Sequence, residues 1–284
     1  MNKVKALLEL SRIDHGLMVV IAIIAGVISS SGLKALTSTR TLIACIAGLL
    51  VEIGVFTFND VFNVEEDRIN SPQRPIPSGE ITVKEATVYG STALVLAVAV
   101  SLLAGLESLA IILLAIIVGM LYNAKIKKYG IYGNLCVALS TAFPFIYGAV
   151  VALRSFWAVP IRCWMFFAMA FLATWSREII KGIVDVEGDR RVGIKTLPIV
   201  LGEKASAKIA LIIMLSAIVL SLVAIPFVLN QVNYVFIVFI ADILLLYSVF
   251  STLQNPTRQT ARRAKNMALI GMSVGLAAFI AGSV

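Results

Sequence analysis

Nine separate stretches of this chain stay apolar for close to twenty residues or more, and this restricts the fold more than any other feature. A bilayer core is about 30 Å thick, and a helix needs about 20 apolar residues to cross it. The stretches lie at roughly 13–32, 41–64, 83–105, 107–124, 131–153, 159–182, 203–229, 232–252 and 262–283. Their hydrophobicity is continuous rather than alternating, and they are too long for strands, which excludes a sheet. The expectation is an all-α membrane protein. About nine transmembrane helices form one bundle around a central cavity, a single domain over residues 1–284.

Composition agrees. The chain is 60% hydrophobic and 14% charged, too little polar surface for a soluble domain of 284 residues. Its net charge of +8 would suggest nucleic acid in a soluble protein. Here no basic run is interleaved with aromatics, so no nucleic-acid partner is expected. The basic residues instead segregate by membrane side. Counting loops from the N-terminus, one side holds only Lys34, Arg40, Arg154 and Arg162, and every other Lys and Arg lies on the other side. The positive-inside rule makes the rich side cytoplasmic, together with the N-terminus, and leaves the C-terminus opposite. The first apolar run reads as a retained helix rather than a cleaved signal peptide. Cys45, Cys136 and Cys163 sit inside apolar stretches without metal or disulfide spacing.

Two cytoplasmic loops, roughly 65–82 and 183–202, are long and rich in both charges. Near the first, Asn59, Asn63 and Asp67 recur every fourth residue, which places them on one face at the cytoplasmic end of the second span. In the second, Asp185 and Asp189 are again four apart. Should the sixth helix continue that far, Arg177 and Lys181 share their stripe. Oxygen ligands on two helix ends suit magnesium, which binds through carboxylates and shared substrate phosphates. A diphosphate cannot sit beside Asp67, Asp185 and Asp189 without intervening cations. Arg68, Lys125, Lys181 and Arg191 are placed to neutralise the rest. Both motifs lie on one membrane side, four helices apart, which suggests two related four-helix halves. The segment from Thr82 to Glu85 reads as a capping box opening the third span.

These residues resemble the UbiA-type intramembrane prenyltransferases. The run from Asn59-Asp60 to Asp67, followed by Arg74-Pro75-Ile76-Pro77-Ser78-Gly79, looks like that family's first motif. Arg177-Glu178 through Asp185 and Asp189, then Lys195-Thr196-Leu197-Pro198, looks like its second. Tyr122-Asn123-Ala124-Lys125, with Gly133-Asn134 after it, matches a third feature. The resemblance covers nearly the whole chain and implies a magnesium-dependent transfer of a prenyl group from a polyprenyl diphosphate. It implies metal ligation by Asn59, Asn63, Asp67, Asp185 and Asp189. Diphosphate contacts would come from Arg68, Arg74, Tyr122, Lys125, Lys181 and Arg191, with Asp60 and Glu52 in support. One departure is Asn63, where the family usually has Asp. Within the family, the stretches 67–79 and 185–190 look closest to members that add a geranylgeranyl group to geranylgeranylglyceryl phosphate in archaeal-type ether-lipid synthesis. The implied partners are geranylgeranyl diphosphate, a lipid glycerol phosphate acceptor and membrane lipids.

Other readings remain open at this level. An aromatic or tetrapyrrole acceptor, of quinone or chlorophyll type, is the second enzymatic possibility. An ion-coupled transporter is the non-enzymatic one, because Glu52 and Asp242 lie within spans, where charges are costly and often functional. Matched Gly/Pro interruptions that would favour a transporter are not evident. His15 reads as interfacial, Trp157 and Trp164 as interfacial anchors, and Trp175 as packing.

Overall fold

A computed structural model describes residues 3–191 and 193–284, with the backbone alone for Asn70. Among the described residues the regular secondary structure is entirely helical. Nine helices among the described residues are long and apolar enough to span a bilayer. They are α2 (Ile13–Ser31), α3 (Thr39–Phe62), α5 (Val83–Ala104), α6 (Leu106–Ala124), α7 (Ile131–Leu153), α8 (Ile161–Arg191), α10 (Glu203–Val223), α11 (Gln231–Gln254) and α12 (Arg258–Ala281). Short helices α1 (Lys3–Leu10), α4 (Val64–Asn70) and α9 (Leu197–Leu201) complete the set. The chain is an integral membrane protein.

The ends of the spans have local causes. Ser38 caps α3, its hydroxyl accepting from Arg40 N. Thr82 and Glu85 cap α5 reciprocally, as their spacing predicts, and Lys3 of α1 reaches Glu85 at 2.6 Å. The seventh span ends at Val223 rather than near residue 229, because Pro226 turns the chain into a 3-10 segment, Ile225–Phe227. The sixth is longer than its apolar run. It continues as helix through Asp185 and Asp189 to Arg191.

The long helices pack as a closed ring. Contacts run α2–α3–α5–α6–α7–α8–α10–α11–α12, and α12 returns to α2. Between apolar lipid tails and apolar side chains there is little hydrophobic contrast, so close backbone approach carries the packing. At the α2–α7 crossing, a Cβ on Gly26 would strike the Phe145 carbonyl, and one on Gly148 would strike the Ile23 carbonyl. Large apolar residues of α11, including Phe236, Phe239 and Tyr247, face outward. That surface suits hydrocarbon and not water. Helix α1 packs instead on Ile76, Ile81 and Ala86, above the first loop.

Candidate active site

Helix α3 stops at Phe62, and Asn63 takes φ −103° and ψ 12° before α4 resumes. The break keeps the helical spacing: Asn63 N bonds Asn59 O at 3.1 Å and Asp67 N bonds Asn63 O at 2.8 Å. Asn59 and Asn63 therefore stay in line, as the fourfold spacing predicts. Their side chains form a relay. Lys127 Nζ donates to Asn63 Oδ1 at 3.0 Å. Asn63 Nδ2 donates to Asn59 Oδ1 at 3.1 Å, and Asn59 Nδ2 to Asn123 Oδ1 at 2.8 Å. Asn123 Nδ2 ends the relay on the Val55 carbonyl at 2.8 Å. An ammonium can only donate and a carbonyl can only accept, so the two ends set the orientation of all three amides.

Asp67 leaves this line. Its Oδ2 lies 2.7 Å from Arg74 Nη1, which is also 3.4 Å from Asp60 Oδ1. Arg12 Nη2 reaches the same Asp60 oxygen at 2.9 Å, and its guanidinium sits 4.7 Å from the centre of the Phe56 ring. Asp60 and Asp67 are both buried. The four residues form an alternating ladder, Arg12–Asp60–Arg74–Asp67, in which each buried carboxylate has a cation. Arg74, expected at the diphosphate, is turned inward to this ladder. Asp60 stands between its two arginines.

Across from this, Asp185 and Asp189 project one turn apart near the end of α8. Asp189 is within electrostatic reach of Asp185 and Lys181 on its own helix, and of Glu66 and Lys127 on the other side. The two acidic motifs thus face each other, with Lys127 also 3.4 Å from Glu66. Two turns deeper on α8, buried Glu178 pairs with Arg177 at 2.9 Å and Lys181 at 3.6 Å. The Tyr122 hydroxyl lies within electrostatic reach of Glu178.

The remaining expected residues sit elsewhere. Arg68 pairs with Glu65 at 2.9 Å on an exposed surface. Lys125 is the exposed C-cap of α6, with no ion pair among the described residues. Arg191 is exposed at the last turn of α8. The lysine that reaches the first motif is Lys127, from the 3-10 turn Ile126–Tyr129. Sequence reasoning missed it, together with Glu66, Asn123 and Glu178. Asn123 and Glu178 stood inside the quoted motifs, and Lys127 followed one of them by two residues, but side-chain direction decides among neighbours. Asn134 carries a buried amide nitrogen with no hydrogen-bond partner among the described residues.

Beneath the asparagine relay lies a cavity of about 130 Å³ between α2, α3, α6 and α7, apolar except for a few groups that include Glu52.

The profile of the UbiA prenyltransferase family matches residues 18–271. The chain belongs to the UbiA prenyltransferase family. This UbiA-family chain is 33% identical over 280 residues to digeranylgeranylglyceryl phosphate synthase of Saccharolobus solfataricus, covering 98% of this chain and 97% of that one. A solved structure described as giving structural and mechanistic insights into digeranylgeranylglyceryl phosphate synthase in membranes superposes with a TM-score of 0.84. It is 31% identical and covers 100% of this chain and 99% of its own. A UbiA homolog from Archaeoglobus fulgidus, bound to GPP and Mg2+, shares the fold at a TM-score of 0.69 and 18% identity, covering 96% and 99%.

The donor chemistry of this UbiA-family site can be tested against magnesium. Among the described residues, no three His, Cys, Asp or Glu side chains converge into a cage made by protein alone. The facing motifs offer oxygens from either side: Asn63 and Glu66 on one, Asp185 and Asp189 on the other. Magnesium typically takes one or two carboxylates and completes its shell with water and substrate phosphates. The residues fit that ion.

Proposed function

We propose that this chain transfers a geranylgeranyl group from its diphosphate to geranylgeranylglyceryl phosphate and releases diphosphate, a step in building archaeal-type ether lipids. The observation that carries the reading is the facing pair of acidic motifs, in a chain that matches digeranylgeranylglyceryl phosphate synthase over nearly its full length. The C1–oxygen bond to diphosphate breaks. A new bond joins C1 to the acceptor's hydroxyl oxygen, and the hydroxyl proton passes to the departing diphosphate.

Asn63, Glu66, Asp185 and Asp189, with Asp67 and Asn59 behind them, would hold magnesium, which when bound supplies positive charge against the leaving diphosphate. Each residue of the chain then has a task. Lys127 now holds Asn63 and Glu66. With those oxygens engaged by magnesium, the Lys127 ammonium would be free to meet the diphosphate. Lys181 and Tyr122, beside Glu178, border the same gap. The Arg12–Asp60–Arg74 ladder holds Asp67 in position. Apolar walls exclude water, which would otherwise intercept the carbon that becomes electron-poor as diphosphate departs. The excess of Lys and Arg in the loops on this side supports a cytoplasmic location for this chemistry.

The test is an assay of purified protein with geranylgeranyl diphosphate, magnesium and geranylgeranylglyceryl phosphate, following the two-chain product and released diphosphate. An aromatic acceptor serves as control. Transfer to the glycerol phosphate alone supports the reading. Transfer to the aromatic acceptor alone replaces it.

A further inference from the structure

The cavity under the acidic motifs holds one carboxyl to which the proposed chemistry gives no task. Glu52 stands on α3, two turns from Asn59, which at 1.5 Å per residue is about 10 Å deeper along the helix. Its neighbours in the wall are aliphatic and aromatic, including Val51, Val55 and Phe143. Among the described residues its carboxyl makes no hydrogen bond. Its electrostatic neighbour, Arg12, is committed to Asp60 and Phe56. The cavity continues on both sides of it: Val55 and Gly119 line the part toward the motifs, and Gly48 and Ile112 line the deeper part. A carboxyl therefore interrupts an apolar passage midway.

We infer that Glu52 is a specificity-determining residue for prenyl chain length, a polar checkpoint that long tails must pass and short tails never reach. The inference rests on the proposed function, because it needs the diphosphate to be anchored at the motifs with its tail descending into this cavity. A geranyl tail, two isoprene units long, ends at or above Glu52. A geranylgeranyl tail, twice that length, must lie against it. Covering a carboxyl with hydrocarbon removes its chance of a hydrogen bond, and that cost falls on the long chain alone. The room is small as well. A cavity of about 150 Å³ accommodates a molecule the size of benzene, so the 130 Å³ here holds little more than one branched unit before side chains move. Glu52 is thus the one carboxyl in the wall that a tail descending past Val55 and Gly119 must lie against.

The experiment measures binding, independent of any acceptor. Dissociation constants for geranyl and geranylgeranyl diphosphate with magnesium are compared in wild type, Glu52→Leu and Glu52→Gln. Leu keeps the bulk and removes the polarity, whereas Gln keeps both bulk and polarity. The expected result is a rise of about tenfold in the preference of Glu52→Leu for the longer donor, the scale on which one mismatched group in an apolar pocket discriminates. Glu52→Gln should keep the wild-type ratio within about twofold, and a neutral Gln also tests whether the charge partnership with Arg12 is what matters. Superimposable ratios in all three proteins overturn the inference, as does an equal rise in the Gln variant. If the ratio shifts as expected but no transfer to geranylgeranylglyceryl phosphate occurs, the acceptor assignment fails and the checkpoint stands. If neither donor binds the wild type, both fall.

Discussion

Lys127 Nζ lies 3.0 Å from the side-chain oxygen of Asn63, so a cation already occupies the first motif at the position where the family usually carries an aspartate. An ammonium on an amide oxygen is held less firmly than one on a carboxylate. Lys127 can therefore exchange this contact for a diphosphate oxygen. Lys127→Met should raise KM for the prenyl diphosphate about tenfold to a hundredfold, the range for losing a hydrogen bond to a charged group. Binding of the corresponding prenyl alcohol should hardly change. Equal losses for both ligands would mean a folding defect and not a lost diphosphate contact.

Asn63→Asp separates two roles of the same side chain. A carboxylate cannot donate to Asn59 Oδ1, so the relay loses the 3.1 Å link. It does gain charge for a divalent cation. If Asn63 ligates the metal, the magnesium activation curve shifts to lower concentration in Asn63→Asp and to higher concentration in Asn63→Leu. Curves that coincide with wild type in both variants would leave Asn63 with the hydrogen-bonding role alone.

Asp185→Ala and Asp189→Ala each remove a carboxylate from the side of the gap that has no amide relay to stand in for it. Turnover should fall on the order of a hundredfold or more. Elution profile and thermal midpoint should remain those of the wild type, since both side chains are only half-buried near the end of α8. Near-normal rates in both variants would remove the second motif from the chemistry.

The arginine ladder makes a prediction about stability. Arg12→Ala takes one cation from buried Asp60 and leaves Arg74 at 3.4 Å as its remaining partner. Breaking a buried pair costs about 3–5 kcal/mol, so the thermal midpoint in detergent should drop sharply. Removing both charges, Arg12→Met with Asp60→Leu, should recover much of the loss. A double variant no better than the single one would assign the effect to Arg12's packing on Phe56 or to its left-handed backbone, φ 42°.

Gly148→Ala tests the close α2–α7 crossing. The added methyl meets the Ile23 carbonyl, a backbone atom that cannot rotate away. Overpacking costs about 1–3 kcal/mol, and a lowered thermal midpoint is expected. Gly188→Ala, at an exposed position with open space around it, should be neutral.

The spans were legible because hydrocarbon imposes a length and forbids alternatives, and the apolar runs at 83–105 and 131–153 match α5 and α7 almost to the residue. Legibility failed where a helix leaves the apolar phase. The polar stretch 183–191 reads as the start of a loop by composition, yet the backbone continues as helix and lines up Asp185 and Asp189. Site residues were legible as types and spacings but not always as partners. Lys125 and Lys127 are near-equivalent on paper, and the 3-10 turn decides which one points at Asn63. Arg74 follows the motif in sequence, but burial of two carboxylates beneath it claims its guanidinium first.

Helix α8 has 31 residues. At 1.5 Å each it is about 46 Å long, some 16 Å more than the hydrocarbon it crosses. Its acidic end is a post standing in the headgroup layer, rooted in oil. For the reaction proposed here, the two products are born at that boundary and belong to opposite phases. The diphosphate ion can depart upward into water, while the two-chain lipid slides sideways among its kind. Neither exit needs the other to be clear, and solubility itself drives the fragments apart.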